Sequence, residues 1–148
     1  MRRSRIKAML TLPLAALLLA LLNIGVLAAQ YDGTDPNSTG CANNASTIYS
    51  INVTQGTLQL RFSNTCYTAW ARFYCHSSGY CQNYEILVER SASSPDGSQA
   101  YYDVVDWPYS TPAGALIYTP QVYDAGADRS QACYRDDPYG SFQCTSWY

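Results

Sequence analysis

The chain has 148 residues, with 9 Lys+Arg against 11 Asp+Glu, 14 tyrosines and 6 cysteines. Four of the bases (Arg2, Arg3, Arg5 and Lys7) precede the first apolar run, so beyond residue 29 five arginines face eleven acids, a net −6. That balance offers no basic patch to neutralise phosphates, which excludes nucleic acid as a partner and disfavours adhesion to an anionic membrane surface.

The first predicted element is the leader. A basic head, the apolar stretch "AMLTLPLAALLLALLNIGVLAA" and small residues at its end form the three-part pattern of a secretory signal peptide over 1–29. The rival reading is a membrane anchor formed by an uncleaved leader, since the stretch approaches the roughly 20 apolar residues that a spanning helix needs. Pro13, Asn23 and Gly25 interrupt it and no charged stop follows, which favours cleavage after Ala28 or Ala29. The expected localisation is therefore secreted, with no stable membrane insertion once the leader is gone. Residues 30–148 then make a single secreted domain, and all the cysteines lie within it. An even number of cysteines in an exported chain predicts three disulfides. No C-x-x-C spacing occurs and His76 is the only histidine, so neither a metal nor a cofactor is expected.

Residues 30–46 read as an irregular N-terminal arm, because "YDGTDPNSTG" is turn chemistry with no apolar period. Next, Tyr49, Ile51 and Val53 alternate, and so do Leu58, Leu60 and Phe62, predicting an antiparallel hairpin. A two-residue loop at Gln55-Gly56 pairs Val53 with Leu58, Ile51 with Leu60 and Tyr49 with Phe62. Gly56 would supply the positive φ of a type I′ turn.

"CYTAWARFYC" resumes as a strand with two candidate faces: Thr68, Trp70, Arg72 and Tyr74, or Tyr67, Ala69, Ala71 and Phe73. "HSSGY" is a loop that Cys75 and Cys81 can close upon themselves. "YEILVER" and "AYYDVVDW" are strands around the turn "SSPDGS", and "PYSTPAG" is a loop. "ALIYT" with Val122 adds a further strand. The tail "QACYRDDPYGSFQCTSWY" forms a second hairpin. If it turns about Pro138-Tyr139, Cys133 and Cys144 face each other within disulfide reach. Cys41 and Cys66 remain, tying the arm to the Trp70 strand. No helical period persists beyond the leader. The expected fold is all-β, a small disulfide-stapled antiparallel barrel or sandwich of about 6–8 strands.

The segments "DGTDP…TGC", "LQLRFSNTCYTAWAR", "IYTPQVYDAG" and "QACYRDDPYGSFQCT" resemble the exported bacterial family catalogued as domain of unknown function 2690, over residues 31–145. Two departures show: Tyr31 stands where the family often has a cysteine, and the Cys75–Cys81 loop looks like an addition. The resemblance implies export, a β fold and the pairs Cys41–Cys66 and Cys133–Cys144. It implies no activity.

Candidate sites divide between structure and function. Trp70 and Arg72 share a strand face and invite reading as a sugar platform and a carboxylate clamp. The favoured reading is structural, with Trp70 in the core beside the Cys41–Cys66 bridge and Arg72 at the rim. "YYDVVDWPYS" concentrates aromatics and carboxylates, and Tyr102, Asp106, Trp107 and Tyr109 are the expected ligand-binding residues, suited to a glycan's C–H faces and hydroxyls. No catalytic set is expected. Glu85 and Glu89 would lie roughly 13 Å apart along a strand at about 3.3 Å per residue, beyond the spacing most glycosidases use. A lone His76 gives no basis for a triad. Asp32, Asp35 and loop carbonyls offer hard oxygen ligands for calcium, but their spacing fits no EF-hand loop. The sequons at Asn37, Asn44 and Asn52 matter only in a eukaryotic secretory pathway. The expected function is a non-catalytic domain that binds cell-wall glycan or a surface protein. The alternatives are a small secreted glycan hydrolase and a secreted enzyme inhibitor.

Overall fold

The computed structural model describes residues 31–76, 78–91 and 100–148, with the side chains of 100–109 left out of the description. The leader and the turn expected at 93–98 lie outside the described residues. After the arm and one 3-10 turn, Cys41–Asn44, the described chain is all β: β1 (Ser46–Val53), β2 (Gly56–Ser63), β3 (Thr68–Cys75), β4 (Tyr80–Arg90), β5 (Ala100–Pro112), β6 (Leu116–Tyr118), β7 (Val122–Tyr123), β8 (Ser130–Arg135) and β9 (Gln143–Cys144). Nine strands exceed the expected six to eight because β6, β7 and β9 are fragments of two or three residues.

The strands form two antiparallel sheets. Sheet A runs β1-β2-β3-β6 with β7 also on β3, and sheet B runs β5-β4-β8-β9. Alternation explains how they pack. Leu58, Leu60 and Phe62 of β2 and Ala69, Ala71 and Phe73 of β3 point one way, towards Tyr84, Ile86 and Val88 of β4 and Ala132 and Tyr134 of β8. Phe73 is the pivot, with ring centroids 4.8 Å from Tyr84 and 5.4 Å from Tyr134. Each of these large side chains removes enough apolar surface from water to contribute about 1.5–3 kcal/mol. The architecture is an open two-sheet sandwich.

The first hairpin corrects the expected register. Val53 pairs with Gly56, Ile51 with Leu58 and Tyr49 with Leu60, so the loop is Thr54-Gln55. The shift is by two residues along the partner, so the faces are preserved. Neither loop residue has positive φ, so the turn is not type I′, and Gly56 is not a turn glycine. It is buried opposite Cys75, where no side chain fits. Gln55, a poor turn former, links the two sheets instead. Its Nε2 donates to the Gln82 carbonyl at 2.9 Å and to Tyr134 Oη at 3.2 Å, and its Oε1 accepts from the Gln82 amide at 2.9 Å. Burial pushes the Tyr134 hydroxyl up to about 12.

Two further expectations change. β3 starts at Thr68, since Tyr67 adopts a left-handed φ of 53°. β5 also continues through Pro108 to Pro112 where a loop was expected. Proline is tolerated there because β5 is an edge strand, and the pairing with β4 breaks register between Gln82 and Tyr84, beside Asn83 at φ 56°.

Disulfides join Cys41 to Cys66, Cys75 to Cys81 and Cys133 to Cys144, leaving no free cysteine. Cys133 and Cys144 face each other in register. Three such bridges belong to an oxidising, extracellular type of environment. Among the described residues, no helix is long and apolar enough to cross a membrane.

Candidate functional site

With Ala69, Ala71 and Phe73 turned inward, the outer face of sheet A carries the other half of each strand. Register lines up Asn52 with Thr57, Ser50 with Gln59 and Thr47 with Arg61 across β1 and β2. On the other side of β2, Thr57 meets Tyr74, Gln59 meets Arg72 and Arg61 meets Trp70. Tyr118 and Leu116 of β6 extend the rows beyond Arg72 and Tyr74. The result is a polar, aromatic surface on a rigid backing, because the inner face of the same strands is the core.

The N-terminal arm covers one end of this face. Gln121, fully buried, accepts from Thr68 Oγ1 at 2.6 Å and donates to Thr34 and Thr39 Oγ1 at 2.9 and 3.0 Å. Asp32 of the arm pairs with Arg90 at 2.9 Å and also accepts from the Tyr123 amide. Arg61 donates from Nη1 to Thr47 Oγ1 and from Nη2 to the Ala45 carbonyl, both at 2.6 Å. The Cys41–Cys66 bridge fastens the same segment. This cover accounts for Trp70, which is 1% exposed although it points away from the sandwich core. Its indole nitrogen has no hydrogen-bond partner. The inward face of β3 is the alanine–phenylalanine face, so Trp70 is buried on the outer side of sheet A, at the end where the arm docks, and outside the core cluster between the sheets.

From Arg72 to His76 the face is open. Arg72 is half-buried, and its Nε donates to Gln59 Oε1 at 2.7 Å. Tyr74 is 39% exposed, and its ring meets His76 edge-on at 4.8 Å. Thr57 Oγ1 lies 3.2 Å from His76 Nε2. A shallow depression lined by residues 52–56 and His76 ends the strip.

The charge distribution is lopsided. No Asp or Glu falls between Asp35 and Glu85, and none lies in β6 or β7, so sheet A contains no acid in a chain that is acidic overall. Burial first, and the neighbouring Arg72 charge second, lower the affinity of the Arg61 guanidinium for its proton. The acids among the described residues lie on sheet B, the arm and the loops. There Glu85 pairs with Arg135 (2.5 Å), Glu89 accepts from Gln131 (2.9 Å), and Asp35 caps its own turn through the Asn37 and Ser38 amides. Among the described residues no three metal-ligating side chains converge.

Of the residues singled out in the sequence, Arg72 stands on this face and Trp70 beneath its covered end. Tyr102, Asp106, Trp107 and Tyr109 lie on β5, an edge strand of the other sheet, and their side chains are outside the described residues. Sequence reasoning passed over Gln59, Arg61, Thr57, Tyr74 and Tyr118. Two signals were present: the polar half of the Leu58–Phe62 alternation, and a long acid-free run in an acidic chain.

The sequence model of a family described as "Protein of unknown function (DUF2690)" matches residues 29–133. An uncharacterized protein, YjfA of Bacillus subtilis (strain 168), is 35% identical over 112 residues, which cover 69% of this chain and 68% of the relative. No solved structure matches the chain.

Proposed function

The chain belongs to the DUF2690 family of proteins of unknown function, and on that footing we propose that it is an exported, non-catalytic domain that binds cell-surface glycan on the outer face of sheet A. The observation that carries this reading is the open strip from Arg72 to His76. There, hydroxyl, amide, guanidinium and tyrosine side chains stand in cross-strand rows on strands whose other face is core. Such a surface is preorganised, so binding a flexible polymer costs the protein little ordering entropy. Tyrosine rings meet the C–H faces of sugars while the neighbouring polar groups meet hydroxyls. The leader and the disulfides support export.

Glu85 and Glu89, the two carboxylates on one face of β4, are each engaged by a cross-strand partner, which supports a non-catalytic role over the alternative of a glycan hydrolase. Attachment to a surface protein and inhibition of another secreted enzyme are the remaining alternatives.

Retention on insoluble cell-wall polysaccharide tests the reading. Wild-type protein is expected in the pellet, Tyr74→Ala/Tyr118→Ala in the supernatant, and Trp107→Ala in the pellet. Release of Trp107→Ala with retention of the double variant moves the site to β5 and its residues Tyr102, Asp106 and Tyr109. No retention of wild type overturns glycan binding.

A further inference from the structure

Building on the glycan platform proposed above, we propose that its ligand is an acidic polysaccharide and that Arg72 is the residue that clamps its carboxylates. Three observations converge on this residue. The first is charge without compensation. Arg90 and Arg135, the other arginines within the strands, are each paired with a carboxylate. Arg61 and Arg72 have no carboxylate partner among the described residues, although they are diagonal neighbours on β2 and β3. Like charges left side by side at half-buried positions repel each other, and a bound anion would offset that repulsion.

The second observation is geometric. The Arg72 side chain is pinned through Nε to Gln59, which leaves the Nη1–Nη2 edge without a hydrogen bond to any described residue. That edge is a planar two-donor fork, and it matches the two oxygens of a carboxylate. Arg61 does not offer a second fork, because Thr47 and the Ala45 carbonyl already occupy both its terminal nitrogens. It contributes positive potential instead.

The third is the setting. Tyr74, Tyr118, Gln59 and Thr57 surround Arg72 with the ring faces and hydrogen-bonding groups that a sugar ring uses. A phosphodiester polymer would call for a row of cations matching its repeating charge, and the chain beyond its leader contains no lysine. The overall acidity does not forbid a polyanion here. The acids whose side chains are described lie outside sheet A, and physiological salt screens exposed charges beyond about 8 Å.

The test uses the chain without its leader and three probes: polygalacturonate, the same polymer with its carboxyls reduced to alcohols, and poly(glycerol phosphate). Affinity is read by calorimetry at low and physiological salt. Wild type is expected to bind polygalacturonate most tightly. Arg72→Gln should weaken that binding about tenfold, the loss expected for a charge-assisted pair, and Arg72→Lys should restore only part of it because a point charge lacks the fork. Both variants should lose less affinity for the reduced polymer than for polygalacturonate, because only the charge-assisted part of the Arg72 contact depends on the carboxylate. Equal wild-type affinity for the acidic and reduced polymers, or full affinity in Arg72→Gln, overturns the carboxylate clamp while leaving the platform standing. Tighter binding to poly(glycerol phosphate) also overturns it. Absence of binding to all three polymers removes the platform as well.

Discussion

A Cβ placed on Gly56 would stand 2.0 Å from the carbonyl oxygen of Tyr74 and 2.7 Å from the Phe73 ring. The close approach of β2 to β3, not a turn conformation, makes this position glycine. Gly56→Ala should therefore destabilise the fold by about 3 kcal/mol or more, as forced overpacking against backbone does. Gly114→Ala should cost only about 1 kcal/mol, because the space there is open and only its φ of +82° opposes a side chain. Urea unfolding of the two variants checks the ranking. Equal losses would contradict it.

Gln121 holds the arm on sheet A through three side-chain hydrogen bonds, and its backbone pairs with Gly33 and Thr34. Gln121→Leu removes those side-chain partners while keeping most of the volume. A loss of about 1–3 kcal/mol is expected, because the buried Thr68 hydroxyl is left unpaired, whereas Thr34 and Thr39 keep their bonds to the Tyr31 and Asp35 carbonyls. The arm should also become the first site of limited proteolysis. A variant that loses stability with the arm still protected would show that Gln121 acts elsewhere.

The three disulfides close loops of different length, with sequence separations of 25, 11 and 6 residues. On loop-closure entropy alone, replacing both cysteines with alanine should cost about 3 kcal/mol at Cys41–Cys66, less at Cys133–Cys144 and least at Cys75–Cys81. Loss of Cys41–Cys66 should also free the arm over Trp70 and shift tryptophan emission to the red. Unchanged emission would separate the arm from Trp70 burial.

Burial raises the Asp124 carboxyl to about 6, helped by the Asp128 charge and opposed by the Ser130 hydrogen bond and the Arg90 charge. Between the ordinary value of 3.8 and about 6, the folded chain holds a proton there that the unfolded chain has lost. Stability from this group is complete below that window and declines as pH rises through it. The stability difference between wild type and Asp124→Asn should therefore move against wild type from pH 4 to pH 6.5 and then level off. A difference that stays constant across that range would refute the shift.

Much of the sandwich was legible because period-2 alternation is a direct record of which side a residue faces. Leu58, Leu60 and Phe62 gave β2 its inner face, and Tyr84, Ile86 and Val88 did the same for β4. Local pattern could not supply register. Gly56 resembles a turn glycine in the sequence, and only the approach of β3 shows why it is needed two residues earlier in the pairing. The same limit hid the candidate site. Trp70 and Arg72 drew notice as residue types. Arg61 and Gln59 came into view only when register set them beside that pair, and Tyr118 only when β6 joined β3 after a long excursion through sheet B.

Mapping amide chemical shifts of the isotope-labelled domain during titration with solubilised cell-wall polysaccharide tests the central claim most directly. Perturbations should concentrate on the exposed rows at Ser50, Asn52, Thr57, Gln59, Arg72, Tyr74 and Tyr118, and should spare Glu85, Gln131 and Arg135 on the opposite side of the sandwich. Shifts gathered on sheet B, with those rows silent at saturation, would contradict the assignment of sheet A as the surface that meets the ligand.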